Sequence, residues 1–279
     1  MGLYEGPVSA AARLLLAAIF VWAGIHKILN PEGTMAYMTA YGLTVATMIL
    51  YLCASLIEIG GGVALALGFM TREAAIMLVA FMIIVTAIFH ARVGDPNQLT
   101  HFLKNTAMTG ALLYVWAYGA GPWGRDEETA PDRNVGVTPE LQGALALLGR
   151  MLLALIFVVS AVKSLMNPDA AQKYAAAMGL TGGTGVIVAV GILAEIGGAV
   201  LLVVGQWVRV GAAALMVVLV AATITFRLTS MSFVIDAAIQ DQQFHLMKNF
   251  AILGGLLYVW VYGAGRLSVE GAVAAKRAA

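Results

Sequence analysis

The sequence predicts an all-α membrane protein with eight transmembrane helices, arranged as two parallel four-helix-bundle repeats. Three observations predict this. Hydrophobic residues make up 61% of the 279 residues and charged residues only 11%, whereas soluble domains carry about 25% charged residues. So few charges could not cover so apolar a chain in water. The apolar stretches are also continuous, about 20 residues each, rather than alternating, which favours helices over a barrel. Finally, the chain is written twice. A shift of 137 lays Arg13 on Arg150, Phe20 on Phe157, Asn30-Pro31 on Asn167-Pro168, Tyr37 on Tyr174, Glu58 on Glu195 and Arg72 on Arg209. A shift of 144 then lays His101 on His245, Lys104 and Asn105 on Lys248 and Asn249, and Tyr114 on Tyr258. An internal repeat constrains the fold more than any local pattern does.

Read in order, the first copy offers spans at 9–29, 46–69, 73–91 and 102–120, and the second at 144–165, 184–205, 208–228 and 246–264. The 9–29 stretch recurs internally, so it is expected to be a retained helix and not a cleaved signal. Asn30-Pro31-Glu32 and Asn167-Pro168-Asp169 each supply a cap, a first-turn proline and an acid suited to the helix dipole. Each predicts a short interfacial helix ending near Gly42 or Gly179. Residues 68–72 and 205–209 are tight turns. Thr138-Pro139-Glu140 reads as a helix start. The domain plan is a repeat at 1–121, a polar linker at 122–142 holding Arg125, Asp126, Glu127, Glu128, Asp132 and Arg133, a repeat at 143–265, and a tail at 266–279.

Four spans is an even number, so both repeats insert the same way, with a pseudo-twofold axis along the membrane normal. One face holds both termini, the linker and the tight turns, with Arg13, Arg72, Arg125, Arg133, Arg150, Arg209, Arg266, Lys276 and Arg277. The opposite face has fewer basic residues, so the termini are expected on the cytoplasmic side of a prokaryotic inner membrane. A net charge of +1 without a basic stripe gives no nucleic-acid surface. The single cysteine, Cys53, permits neither an intrachain disulfide nor a dithiol motif.

Polar residues kept in both copies of so apolar a chain are the candidate site. Glu58 and Glu195 lie inside spans, where an ionisable group costs about 2.5–3.5 kcal/mol on insertion scales. They are candidates for a proton-accepting or hydrogen-bonding role, or for a structural ion pair or a carboxylic acid held neutral. The adjacent Gly61 and Gly62, like Gly197 and Gly198, allow close approach. Arg13 and Arg150, about a turn into the membrane, are the expected partners, giving Arg13–Glu58 and Arg150–Glu195 pairs; snorkelling is the alternative. His101, Lys104 and Asn105 share one helix face, as do His245, Lys248 and Asn249. With His26, Lys27, His90 and Arg92 the first set, His101, Lys104 and Asn105, forms a polar rim in the first bundle, suited to an anionic or quinone-like headgroup or to plain interfacial anchoring. Lys163 and Arg227 are the nearest second-copy equivalents. Histidines 26, 90 and 101 raise a haem reading, but no duplicated axial pair exists, and no mononuclear metal site is expected. Trp116, Tyr118, Trp260 and Tyr262 suit an aromatic belt.

The order Arg13, Phe20, Gly24-x-x-Lys27, Asn30-Pro31, Glu58-x-x-Gly61 and His101-x-x-Lys104-Asn105 resembles the DoxX/DoxD-like membrane proteins, which have four helices; this chain resembles two of them fused. The second copy departs from the pattern, with Ser164 at the Lys27 position and Ala161 at Gly24. The resemblance implies a link to redox chemistry, since the family includes the membrane subunit of thiosulfate:quinone oxidoreductase. Three functions are weighed. The first is a quinone-interacting membrane subunit of an oxidoreductase, with quinone as its ligand and a soluble or membrane redox chain as its partner. The second is a non-enzymatic scaffold or assembly factor for a redox complex. The third is a small-solute or lipid transporter. Whether the chain is itself catalytic stays open at this level.

Overall fold

A computed structural model describes residues 4–126, 137–177, 179–180, 182–229 and 237–278. The side chains at 225–229, 237–240 and 278 fall outside that description, and with them Arg227; so do Glu127, Glu128, Asp132 and Arg133 of the linker and Thr181. The described residues form helices and no strand. The first repeat contains α1 (Glu5–Leu29), α2 (Pro31–Ala40), α3 (Thr47–Leu67), α4 (Thr71–Phe89) and α5 (Pro96–Tyr118). The second contains α6 (Pro139–Met166), α7 (Pro168–Ala177), α8 (Thr184–Val204), α9 (Val208–Thr229) and α10 (Ala237–Tyr262), and α11 (Val269–Ala278) follows.

Among the described residues, six helices are long and apolar enough to cross a membrane: α1, α3, α4, α6, α8 and α10. α9 is apolar from Val208 to Ile224. α5 is long but more polar, and it lies in the centre, packed on α4, α6 and α10. A helix covered on all sides by protein does not need an apolar surface for lipid. By contrast α3, α4, α8 and α9 expose large apolar side chains such as Leu56, Ile83, Leu193 and Val217, as lipid-facing helices should.

The helix starts follow local chemistry. Asn30 accepts from the Gly33 amide at 3.1 Å, with Pro31 at the first helical position. Thr138 caps α6 through the Leu141 amide at 3.2 Å. Asp95 caps α5 by accepting from the Asn97 and Gln98 amides at 2.8 and 3.0 Å. α3 and α8 end at Gly68 and Gly205, both in the left-handed region with φ of +64° and +71°.

The repeats interleave. α1 packs on α3 and on α10, while α5 packs on α6, so the fourth long helix of each repeat lies against the first helix of the other. Glycines permit both contacts. A Cβ on Gly110 of α5 would lie 2.6 Å from the Gly149 carbonyl oxygen, and one on Gly254 of α10 would lie 2.5 Å from that of Ala12. These are duplicate positions, as are the two tyrosines that lock the crossing. Tyr114 donates to the Gly263 carbonyl at 2.9 Å and Tyr258 to the Gly119 carbonyl at 3.1 Å. Tyr118 stacks on Tyr262 with ring centroids 4.8 Å apart. This corrects the reading of Tyr118 and Tyr262 as belt residues. They meet each other across the repeat boundary because α5 and α10 are neighbours.

Candidate functional site

The duplicated arginines do not pair with the glutamates, contrary to the sequence expectation. Arg13, 1% exposed, donates to the Ala120 carbonyl and, at 3.1 Å, to that of Trp123. Arg150, fully buried, donates to the carbonyls of Leu202 at 2.8 Å and Leu267 at 2.6 Å. Both guanidinium groups sit beneath the turn closing α3 or α8. A Cβ on Gly68 would come within 3.1 Å of Arg13. Helix C-termini leave carbonyls without intrahelical donors, and a buried guanidinium satisfies several at once. The partner turn is acid-capped in both copies. Asp126 accepts from the Met70 and Thr71 amides at 2.7 and 2.9 Å, and Glu270 accepts from the Val208 amide at 3.1 Å. Arg72 and Arg209 reach the carbonyls of Ala117 and Trp260 at 3.3 and 2.9 Å, near the C-terminal ends of α5 and α10. These conserved charges of the duplication hold turns and helix ends together.

Glu58 instead pairs with Lys27. The ammonium lies 2.6 and 2.9 Å from the two carboxylate oxygens, and Glu58 is 6% exposed. Gly24 and Gly62 bring α1 and α3 together here: a Cβ at Gly24 would lie 3.2 Å from the Ser55 carbonyl oxygen, and one at Gly62 3.1 Å from the Val21 nitrogen. The second repeat has no lysine at this place. Glu195 is only half-buried. Lys163 is exposed.

The remaining candidates meet between the repeats. His101 places Nε2 2.9 Å from Asp241 Oδ1 and Nδ1 2.8 Å from Lys248 Nζ. Because an ammonium only donates, Nδ1 accepts and Nε2–H donates to Asp241. His245 Nε2 lies 3.2 Å from Asn97 Oδ1 and 3.6 Å from Asp241 Oδ2. Lys104 donates to the His245 carbonyl at 3.2 Å. Asn105 and Asn249 donate to Thr86 and Thr223 at 3.0 and 2.8 Å, tying each fourth helix to its third. The rings of His90, His101 and His245 stack in series, with centroids 4.9 and 4.4 Å apart. His26 packs on Trp22 and Phe244. The rim is therefore one site shared by both repeats, not a feature of the first bundle.

Asn97 and Asp241 were missed by sequence reasoning, yet they fall opposite each other in the same 144-residue register as His101 and His245. Asn97 donates to Asp241 at 3.4 Å. The signal was present, but two different polar residues do not look like a repeat. His90, just past the end of α4, is held below the ordinary histidine range by burial, while its Gln98 hydrogen bond opposes that shift and Lys248 adds to it. Tyr37 on α2 is pushed up by burial and by Tyr41; it stacks on Phe89 at 5.3 Å.

His101, Asp241 and His245 bring their ligand atoms within 4.8 Å of one another, the spacing of a metal site. Their geometry suits hydrogen bonding better. The two imidazoles are stacked with planes 28° apart, and both ring nitrogens of His101 are already engaged, by Asp241 and by Lys248. Two ammonium groups also adjoin the cluster, and they oppose a divalent cation.

The DoxX family profile matches residues 8–91 and again 145–228. The chain belongs to the DoxX family. Two Escherichia coli relatives agree with this. Inner membrane protein YqjF is 32% identical over 115 residues, which cover 86% of that protein and 41% of this chain. Inner membrane protein YphA is 29% identical over 116 residues, covering 81% of it and 39% of this chain. Each relative thus has about the length of one repeat, and this chain is a tandem DoxX protein whose relatives reside in the inner membrane. No solved structure matches it. The DoxX matches contain Arg13, Lys27, Glu58, Arg150 and Glu195, but stop before α5 and α10. The arginine caps and the Lys27–Glu58 pair thus lie in the DoxX-matched part, and the histidine–lysine cluster beyond it.

Proposed function

We propose that this DoxX protein is the membrane subunit of a redox system and binds a quinone at the cluster between α5 and α10. The observation that carries the reading is the buried Lys248–His101–Asp241 chain. Lys248 is 7% exposed and His101 6% exposed, while Asp241 reaches water. Quinone reduction adds electrons and protons to carbonyl oxygens. An ammonium stabilises the developing negative charge, and a hydrogen-bonded histidine–carboxylate pair leading to water delivers protons. Two buried acceptors in the cluster, Asn105 Oδ1 and His245 Nδ1, lack a partner among the described residues, so a bound headgroup carrying a donor would satisfy them. Trp22 and Phe244, with centroids 5.6 Å apart, supply an aromatic wall nearby. Glu58, paired to Lys27, is a second candidate proton-holding group.

This reading includes eight spans in two parallel repeats, termini on the cytoplasmic face and a separate redox chain as electron donor. The test is binding of a quinone analogue to the purified protein. Lys248→Met should weaken binding by about tenfold, the order expected on losing a charged hydrogen-bond donor. Wild-type protein that binds no quinone analogue would overturn the reading. A scaffold for a redox complex is the second reading, favoured because His101, Asp241 and Lys248 already satisfy one another. Intact assembly of the partner complex with the Lys248→Met variant, together with absent quinone binding in the wild type, would select it.

A further inference from the structure

Four duplicated positions where the first helix of each repeat meets its short helix are engaged in one repeat and open in the other. In the first repeat His26 packs on Trp22 and Phe244, Lys27 pairs with Glu58, Asn30 accepts from the Gly33 amide, and Tyr37 stacks on Phe89. The 137-residue shift turns these four into Lys163, Ser164, Asn167 and Tyr174. Among the described residues, these four side chains make no hydrogen bond, ion pair or ring contact. For Ser164 this is a departure from the rest of the protein: Ser55, Thr86 and Thr109 each donate to the carbonyl four residues back. All four instead line one cavity of about 570 Å³ on α6 and α7, together with Ser160 and Met166.

We infer that this cavity binds the phosphate headgroup of an anionic membrane lipid. Lys163 supplies a cation, while Ser164, Asn167 and Tyr174 supply hydroxyl and amide donors, the groups that hold phosphate oxygens. No described carboxylate opposes them in the lining: neither Asp169 of α7 nor Glu195 of α8 is part of it. A lining with one cation, several free donors and no acid selects an anion. The surroundings select a lipid. Val162, Leu165 and Met166 are exposed beside the cavity, and such side chains on a membrane-spanning helix meet acyl chains. Lys163 lies in the last turn of that helix, at the depth where a basic pocket meets lipid headgroups. The volume is within the usual range for small-molecule sites, about 300–1,000 Å³. The inference does not rest on quinone binding, because it concerns different residues in a different place.

The experiment is native mass spectrometry of the full chain in detergent, offered phosphatidic acid or a trimethylammonium lipid with the same acyl chains. The wild type is expected to retain phosphatidic acid about tenfold more tightly than the cationic lipid, the order set by one charged hydrogen bond. Lys163→Met should remove that preference and Lys163→Arg should keep it. Lys173→Met, which removes an exposed cation outside the cavity, should leave it unchanged. Both lysines are exposed, so an unshifted thermal midpoint is expected in each variant and excludes misfolding. Equimolar inorganic phosphate should not displace the lipid, since it lacks the acyl chains; full displacement would overturn the assignment to a lipid. Equal retention of the two lipids, a preference that survives Lys163→Met, or an equal loss in Lys173→Met would overturn the inference as a whole.

Discussion

The Lys27 ammonium donates to both carboxylate oxygens of Glu58, at 2.6 and 2.9 Å, and thereby joins the end of α1 to the middle of α3. Removing one partner of a buried pair leaves an uncompensated charge, at a cost of roughly 3 kcal/mol, whereas removing both is often near neutral. Lys27→Met is therefore expected to lower the thermal midpoint in detergent more than Lys27→Met with Glu58→Met. A double-mutant cycle checks this, and additive losses would show that the pair contributes nothing as a unit.

Arg13 and Arg150 are expected to be structural. Arg150→Met leaves the carbonyls of Leu202 and Leu267 without their donor, which should cost about 2–4 kcal/mol. Lysine at that position should rescue only part, because it lacks the planar fork that reaches both carbonyls. Thermal unfolding of the three proteins is the measurement, and quinone-analogue affinity of the folded fraction should not change.

The crossing glycines carry a packing prediction. Gly110→Ala or Gly254→Ala would push a methyl group against a backbone carbonyl at 2.6 or 2.5 Å. Separation of α5 from α6, or of α10 from α1, should cost about 1–3 kcal/mol. Gly60→Ala, where a Cβ meets nothing within 4 Å, serves as the control and should leave the thermal midpoint within a degree or two.

His90 gives the protein a pH dependence with a defined sign. Its folded-state value lies below the ordinary 6.5 because burial disfavours the cation. Below about pH 6.5 the unfolded chain therefore binds more protons than the folded one at this site. The stabilisation is complete above that pH and declines as the pH falls toward the folded-state value. A thermal-midpoint profile from pH 7.5 to 5 should fall less steeply in His90→Gln than in the wild type.

Much of this was legible in the sequence. The 61% apolar composition and the double register fixed an all-helical, duplicated membrane protein, and the Asn30-Pro31 and Thr138-Pro139 signals marked helix starts that the structure reproduces. These features are local or periodic: a helix cap is decided within four residues, and a repeat within its own register. The choice of partner for each polar residue was not legible. Arg13 looked like the partner of Glu58 because both lie at compatible depths along their helices, but depth says nothing about rotation around the helix axis. Only the packed α1–α3 interface decided that Lys27 faces Glu58 while Arg13 faces the turn carbonyls. Likewise His101 and His245 were expected to stay apart, each in its own repeat. Tertiary structure brought them together, because Gly110 and Gly254 let each fourth helix lie against the other repeat's first helix. That contact places His101 over His245, and its cause is steric, in backbones that meet only where no side chain intervenes.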